Sequence, residues 1–413
     1  MLAATLFSLY VALSSFPSWV GANPHPDVVQ RRDLGSSKKD IFKIVKQALG
    51  SAKPDDDADA GNEDEGGFKE GLESPMSEHA NSNPDPPKPV YPRVARCDAP
   101  YSFSEEDLRS AIYIPDTFTR GDKPPVLLVP GTASTGYISF AGNFIPLLTD
   151  VSWADPVWVN PPGMMLTDAQ GSSEYIAYAI NYVASLTQKN VSIIAWSQGT
   201  LNVQWAFKYW PSTRKVVSNH VALSADFKGT IFANFIDVTG LSDAPAVVQQ
   251  EANSKFVKTL QTEGGDSAYV PTTSIYSAFF DEVVQPQKGD KASAFIEDVR
   301  GVGVTNAELQ AVCPGKPAGG LYTHESTLVN PLTFALAKDA ITNGGPAQLE
   351  RLNLDEICEQ HVTPGLRASD VLITEASILL AAKAVLKYSP KSPDEPPIKP
   401  YTESRGKGCS SGL

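Results

Sequence analysis

Short apolar runs alternate with amphipathic segments from about residue 120 to about residue 390. Five runs have the length and composition of buried strands: residues 123–130, 155–161, 191–196, 221–226 and 273–280. Each is apolar on both of the faces that a strand presents, and segments with helical spacing separate them. This pattern predicts a parallel sheet covered by helices and joined by right-handed crossovers. The predicted fold class is α/β, in a single large domain.

Three segments between or after these strands have a clear helical period. Residues 172–187 form one, with Ser172 or Ser173 as its N-cap, and residues 201–210 form another. Residues 368–388 make a longer helix that is rich in alanine and mostly apolar. We expect this last helix to pack on the core; the alternative is a surface-active helix near the mouth of a site.

The first ninety residues follow a different pattern. Residues 1–13 are apolar and Val20-Gly21-Ala22 fits a signal-peptidase site, so residues 1–22 are predicted to be a signal peptide of a secreted, extracellular protein. The alternative is a retained membrane anchor. Residues 23–90 are predicted to be a pro-segment or an acidic disordered region, because a dibasic pair stands at Arg31-Arg32 and residues 51–88 hold eleven acidic against three basic side chains. The catalytic domain is then expected to span residues 91–413.

Charge and cysteine content narrow the function classes. A formal net charge of −13 argues against a nucleic-acid partner. The four cysteines, Cys97, Cys313, Cys358 and Cys409, have no zinc-site spacing, and in an oxidising compartment they would form two disulfides. Four cysteines allow three connectivities. No metal and no cofactor is implied.

One serine has the context of a catalytic nucleophile. The apolar run at 191–196 ends in Ala195-Trp196-Ser197-Gln198-Gly199, and a helical segment follows directly. Strand, single serine and helix make a nucleophile elbow, although the usual pattern has glycine where Ala195 stands. The helix N-terminus behind Ser197 would offer backbone N–H groups to an oxyanion. The alternative is an ordinary serine in a strand-to-helix turn.

An activated serine needs a base and a carboxylate that orients it. Of the five histidines (His25, His79, His220, His324 and His361), only the last two follow the serine and a later acid in the order that α/β-hydrolases use. We favour His324 over His361 because of its loop context. Asp281 comes directly after a predicted strand and is the predicted acid, with Asp226 as the alternative. The predicted oxyanion-hole residues are Gln198 and Thr132, whose hydroxyl could add a donor.

Several longer stretches resemble the Candida antarctica lipase B-like family of fungal lipases. The matching stretches are residues 128–132, 196–199, 226–230, 276–278, 281–287, 311–313 and 409–410, in the same order along the chain. The resemblance implies an α/β-hydrolase fold and triacylglycerol lipase or carboxylesterase activity. It places Ser197, Asp281 and His324 as nucleophile, acid and base, with Thr132 and Gln198 as oxyanion donors.

The resemblance also implies roles for residues around this centre. Trp196, Ser134 and Ser139 match positions that line the pocket for the smaller substituent of the alcohol, and Asp226 is assigned to substrate binding. The family pairs Cys313 with Cys358, which leaves Cys97 and Cys409 as the second predicted pair.

The chain departs from the family beside the site. One extra residue stands before Asp281, and the insertion at residues 314–320 lengthens the segment before His324. The acidic region before residue 90 has no counterpart in the mature lipase. Because the two lengthened loops lie beside the predicted site, the width of the substrate pocket is expected to differ from that of the family.

The sequence therefore predicts a secreted serine ester hydrolase that cleaves triacylglycerol or other carboxylic esters through an acyl-enzyme. It is expected to be a monomer that binds an ester or lipid and contacts a lipid interface transiently. The alternatives are an acyltransferase acting on a specific metabolite and a non-catalytic protein on a hydrolase scaffold.

The sequence also contains one N-glycosylation sequon, Asn190-Val191-Ser192.

Overall fold

A seven-stranded sheet forms the centre of the computed structural model, which describes residues 74–231, 244–392 and 394–403. The strands are β1 (Ile112–Tyr113), β2 (Pro125–Val129), β3 (Asp155–Val159), β4 (Val191–Trp196), β5 (Val217–Leu223), β6 (Thr272–Tyr276) and β7 (Val304–Glu308). Their order across the sheet is β1-β3-β2-β4-β5-β6-β7. Only β1 pairs antiparallel to its neighbour, so the mostly parallel sheet of an α/β-hydrolase is confirmed.

Helices cover both faces of this sheet. They are α1 (Glu105–Ser110), α2 (Gly136–Phe140), α3 (Phe144–Leu148), α4 (Ala169–Thr187), α5 (Gln198–Tyr209), α6 (Pro245–Gln249), α7 (Lys255–Gln261), α8 (Leu309–Val312), α9 (Pro331–Asn343), α10 (Leu354–Ile357) and α11 (Ala368–Lys387). None of these helices in the described ranges is both long and apolar enough to cross a membrane.

Alternate residues of the central strands enter two different cores. In β4, Ile193 and Ala195 pack with α4 and α5 on one face, whereas Ile194 and Trp196 pack with α2, α3 and α9 on the other. Because successive side chains of a strand point to opposite faces, a strand buried on both sides has to be apolar throughout. All six residues of β4 are buried, which explains the uninterrupted apolar run that marked it in the sequence.

Residues 74–90, which precede the predicted start of the catalytic domain at residue 91, pack on that domain. The carbonyl of Met76 accepts hydrogen bonds from Trp158 Nε1 at 2.8 Å and from Asn160 Nδ2 at 3.0 Å. Further along, the Tyr182 hydroxyl donates to the carbonyl of Pro84 at 2.8 Å. These contacts use backbone carbonyls, which carry no sequence signal. The predicted signal peptide and the Arg31-Arg32 site lie outside the described residues.

A disulfide joins Cys313 to Cys358, as predicted. Cys313 directly follows α8 and Cys358 directly follows α10, and both cysteines are buried. Cys97 is disulfide-bonded as well. Its predicted partner, Cys409, lies outside the described residues, so the Cys97–Cys409 pair stays a prediction.

Candidate active site

Ser197 occupies a one-residue turn between β4 and α5. Its backbone has φ +54° and ψ −130°, a conformation that non-glycine residues rarely adopt and that is found mostly at functional sites. The Ser197 N–H donates to the carbonyl of Leu223 at 2.9 Å, and its own carbonyl accepts from Thr200. The strained turn predicted for a nucleophile elbow is therefore present.

Glycines allow the backbones around this turn to approach closely. A Cβ on Gly199 would lie 2.5 Å from the carbonyl oxygen of Pro130, closer than real side chains come. A Cβ on Gly131 would lie 3.0 Å from the Cβ of Ser197. The loop that carries Thr132 is thus pressed against the serine, where a donor to an oxyanion would have to be.

His324 and Asp281 form a buried pair. The Nδ1 atom of His324 lies 3.0 Å from Oδ1 and 2.9 Å from Oδ2 of Asp281, and both side chains are almost fully inaccessible to solvent. Asp281 Oδ1 also accepts from the backbone N–H of Val283 and of Val284. Asp281 follows β6 by a short loop rather than directly, because β6 ends at Tyr276. The carboxylate still reaches the edge of the sheet where β4 ends.

Burial and the neighbouring carboxylates, Asp281 first among them, shift the pKa of His324 in opposite directions. Burial by itself lowers the pKa of His324, but the charge and hydrogen bond of Asp281, together with the charges of Glu282 and Asp226, raise that pKa above its ordinary value. A carboxylate at Nδ1 favours the tautomer with its proton on Nδ1. Nε2 is then the nitrogen that can accept a proton from a nucleophile.

Contacts on both sides hold His324 beside the elbow. Its carbonyl accepts from Trp196 Nε1 at 3.2 Å and from the Ser224 hydroxyl at 3.1 Å, and its ring centroid lies 5.1 Å from that of Trp196. Trp196 directly precedes Ser197. The alternative base, His361, is exposed, and its carbonyl accepts from the Tyr322 hydroxyl. The structure therefore brings His324 to Asp281 and to the elbow.

Asp226, the alternative acid, lies at the same end of the sheet as Asp281. It follows β5 by a short turn, because that strand ends at Leu223 rather than at residue 226 as predicted. The side chain is fully buried, and burial raises the pKa of Asp226 to about 7, with the His324 charge acting in the opposite direction. The Asp281 carboxylate accepts the hydrogen bond of the His324 ring, so the geometry favours Asp281 as the orienting acid.

Gln250 joins the two predicted oxyanion residues, and the sequence analysis missed it. Thr132 Oγ1 donates to Gln250 Oε1 at 2.9 Å, while Gln250 Nε2 donates to Gln198 Oε1 at 3.1 Å and to the carbonyl of Ala246 at 2.9 Å. Gln250 lies just after the short helix α6, far from the other site residues in sequence. The sequence signal that could have identified Gln250 is a pair of glutamines, Gln249-Gln250, at the end of an apolar segment.

The predicted pocket residues are buried near this cluster. The Ser139 hydroxyl donates to the Ser134 hydroxyl at 2.9 Å, and both follow the Thr132 loop. Trp196 is buried, and its ring lies against Gly131 and His324. These contacts leave the assignment of Trp196, Ser134, Ser139 and Asp226 to substrate binding as a prediction.

Comparisons with known proteins agree with one another. The chain is 34% identical over 300 residues to lipase B of Pseudozyma antarctica, a match that covers 70% of this chain and 82% of that lipase. The crystal structure of Aspergillus fumigatus lipase B is 42% identical and superposes with a TM-score of 0.78, over 89% of this chain and 92% of that one. No family model matches the chain.

Proposed function

The chain belongs to the lipase B family and is a lipase or esterase hydrolase, and from this premise we propose that it is a secreted serine hydrolase with a Ser197–His324–Asp281 triad. The observation that carries the proposal is the buried Asp281–His324 pair, held by Trp196 next to the strained Ser197 turn. Acyl transfer needs nucleophile, base and orienting carboxylate within reach of one another. The chain order Ser197, Asp281, His324 and the contact between Asp281 and His324 support this assignment.

In the proposed reaction, the Ser197 hydroxyl attacks the ester carbonyl while His324 Nε2 takes its proton. Asp281 keeps the other ring nitrogen protonated and stabilises the imidazolium. Donors at Thr132 and Gln198 stabilise the tetrahedral oxyanion, which collapses to an acyl-enzyme and an alcohol that receives the proton from His324. Water then attacks the acyl-enzyme carbonyl while His324 takes its proton, and the second tetrahedral intermediate collapses as His324 gives that proton to the Ser197 oxygen. The products are a carboxylic acid and free Ser197.

Exposed apolar side chains beside the triad support an ester with a hydrophobic acyl chain. Phe279 is 66% exposed and Phe280 38% exposed immediately before Asp281, and Leu321 is 59% exposed shortly before His324. Contiguous exposed apolar patches commonly mark ligand-binding grooves or surfaces that contact a membrane or a partner. We infer a transient contact between these loops and a lipid interface.

Secretion is part of the same proposal. The apolar segment at residues 1–13 has the composition of a signal peptide. The buried Cys313–Cys358 disulfide supports the proposal, because disulfides persist in oxidising compartments. Expression with residues 1–22 in a fungal host should release the protein into the medium with a new N-terminus at residue 23, or at residue 33 where the pro-segment is also cut after Arg31-Arg32. A chain retained in the membrane fraction would instead indicate an anchor.

The proposed activity is tested by hydrolysis of triglycerides of increasing chain length, below and above their solubility limits. We expect release of fatty acid from the short-chain substrates, followed in a pH-stat, and a higher rate once an oil phase is present if the Phe279 and Leu321 loops bind it. Inactivity on all triglycerides and on p-nitrophenyl esters would contradict the proposal.

Loss of the Thr132 hydroxyl should weaken the oxyanion hole. Thr132→Val keeps the shape of the side chain but removes the donor, and loss of one such donor typically lowers kcat about 10²-fold. Thr132→Ser keeps the hydroxyl and serves as the matched control. Steady-state kinetics on p-nitrophenyl butyrate would check this, and equal kcat values for the Val and Ser variants would remove the hydroxyl from the mechanism.

A further inference from the structure

Two glutamates stand directly after the proposed acid and base, and both turn inward. Glu282 follows Asp281, and Glu325 follows His324. The backbone N–H of His324 donates to Glu282 Oε2 at 3.1 Å. Glu325 is only 2% exposed. The loop of the acid and the loop of the base therefore meet through Glu282 as well as through the Asp281–His324 pair.

The other oxygens of these carboxyl groups are complementary. Glu282 Oε1 and Glu325 Oε2 are both buried, and each lacks a partner when both groups are taken as carboxylates. Two carboxylates cannot hydrogen-bond, because both are acceptors only. The Glu325 and Glu282 side chains lie within hydrogen-bond reach of each other. One proton between them turns one group into a donor, and the two buried oxygens can then satisfy each other. Buried polar atoms are nearly always satisfied, so the shared proton is the simplest occupant.

The surroundings indicate which group holds that proton. Glu282 accepts the His324 N–H, which stabilises its ionised form, whereas Glu325 is enclosed. Burial and the repulsion of Glu282 and Glu375 raise the pKa of Glu325 well above its ordinary value. Burial likewise raises the pKa of Glu282, with repulsion from Asp281 adding to it and the His324 charge opposing it.

A third carboxyl faces the pair from another element. Glu375 lies on α11, which packs against the turn that begins after Glu325. Burial and the charge of Glu282 raise the pKa of Glu375 to about 8. Near neutral pH Glu375 therefore keeps its own proton, and a proton on Glu325 leaves the negative charge behind His324 on Asp281 and Glu282.

We propose that Glu325 is a positioning residue for His324, acting as a neutral donor that holds Glu282 against the His324 backbone. The inference rests on the proposed function, because the role assigned to Glu325 is to hold His324 where it can accept the proton of Ser197. When Glu325 releases its proton to solvent at alkaline pH, two adjacent carboxylates repel each other and the tie to the His324 N–H is lost. Turnover should then fall while substrate binding changes little.

The test compares Glu325→Gln with Glu325→Ala across the pH range on a soluble ester. Glutamine donates a hydrogen bond at every pH, so Glu325→Gln should keep kcat within about threefold of the wild type near neutral pH and lose the fall in kcat at alkaline pH. Glu325→Ala leaves Glu282 without its donor and should lower kcat roughly tenfold with KM little changed. Glu174→Gln is the control, because Glu174 is a fully buried carboxyl whose contacts are with Ser102 and Lys399 and not with the site residues; it should keep the wild-type pH profile.

Two results would overturn the proposal. One is a Glu325→Gln variant with the same alkaline fall in kcat as the wild type, and the other is a Glu325→Ala variant as active as Glu325→Gln. The proposed function fails separately, when the wild type does not hydrolyse the ester or when Ser197→Ala still does.

A second measurement needs no activity. Since the folded-state pKa of Glu325 lies above its ordinary value, its stabilising contribution is complete at acidic pH and is lost as the pH rises through the folded-state pKa. Thermal unfolding between about pH 5 and pH 9 should show a smaller decline in Tm for Glu325→Gln than for the wild type. Equal declines would contradict the shared proton.

Discussion

Replacement of Ser197 by alanine should abolish ester hydrolysis, lowering kcat by roughly 10⁴-fold or more. The alanine removes only the hydroxyl, so the elbow loses its nucleophile while Trp196 and Gln198 keep their places. The residual rate would come from the oxyanion hole and substrate binding alone. Initial rates on p-nitrophenyl butyrate, with circular dichroism to verify folding, measure the effect.

A matched serine provides the control for this result. Ser185 lies on α4, and its hydroxyl bonds to the backbone of Lys88, away from the site. Ser185→Ala should keep the wild-type rate. If Ser197→Ala kept more than a small fraction of that rate, the nucleophile would have to be another residue.

Asp281→Asn should have the second largest effect, a loss of about 10⁴-fold in kcat near neutral pH. An asparagine can present an N–H₂ group to His324 Nδ1, which favours the tautomer with the proton on Nε2 and blocks proton transfer from Ser197. The change also removes the charge that raises the pKa of His324. Both consequences follow from the contacts of 2.9 and 3.0 Å between Asp281 and Nδ1.

Asp226→Asn separates the two candidate acids. Asp226 is fully buried with a pKa raised to about 7, so it already spends part of its time uncharged near neutral pH. A neutral amide of the same shape should therefore cost far less than the Asp281 change, within about tenfold in kcat. The opposite order of effects, a severe loss at Asp226 and a mild one at Asp281, would make Asp226 the acid of the triad.

Much of the central sheet could be predicted because strands that are buried on both faces are apolar at nearly every position. The prediction at residues 191–196 coincides with β4, where every side chain is buried and therefore apolar. β7 was missed, because Val304–Glu308 is a half-exposed edge strand with polar residues. β1 was missed as well, because a two-residue edge strand has no periodicity to detect. Edge strands face solvent on one side and lose the pattern that identifies central ones.

The site could be predicted where chemistry constrains residue type and order. Ser197, Asp281 and His324 were selected from a short list of chemically competent side chains in a fixed chain order. Gln250 was missed because its role depends on two tertiary hydrogen bonds, to Thr132 and to Gln198. The burial of Glu325 could not be predicted either, because glutamate in a loop is ordinarily exposed.

Covalent labelling with a fluorophosphonate probe, followed by peptide mapping, tests the proposed triad most directly. The probe reacts only with a serine that a base has activated, so it reports nucleophile and base together. We expect a stable adduct on the peptide that contains Ser197 in the wild type, no adduct in Ser197→Ala, and strongly slowed labelling in Asp281→Asn. An unlabelled wild-type chain, or an adduct on a different serine, would contradict the Ser197–His324–Asp281 mechanism.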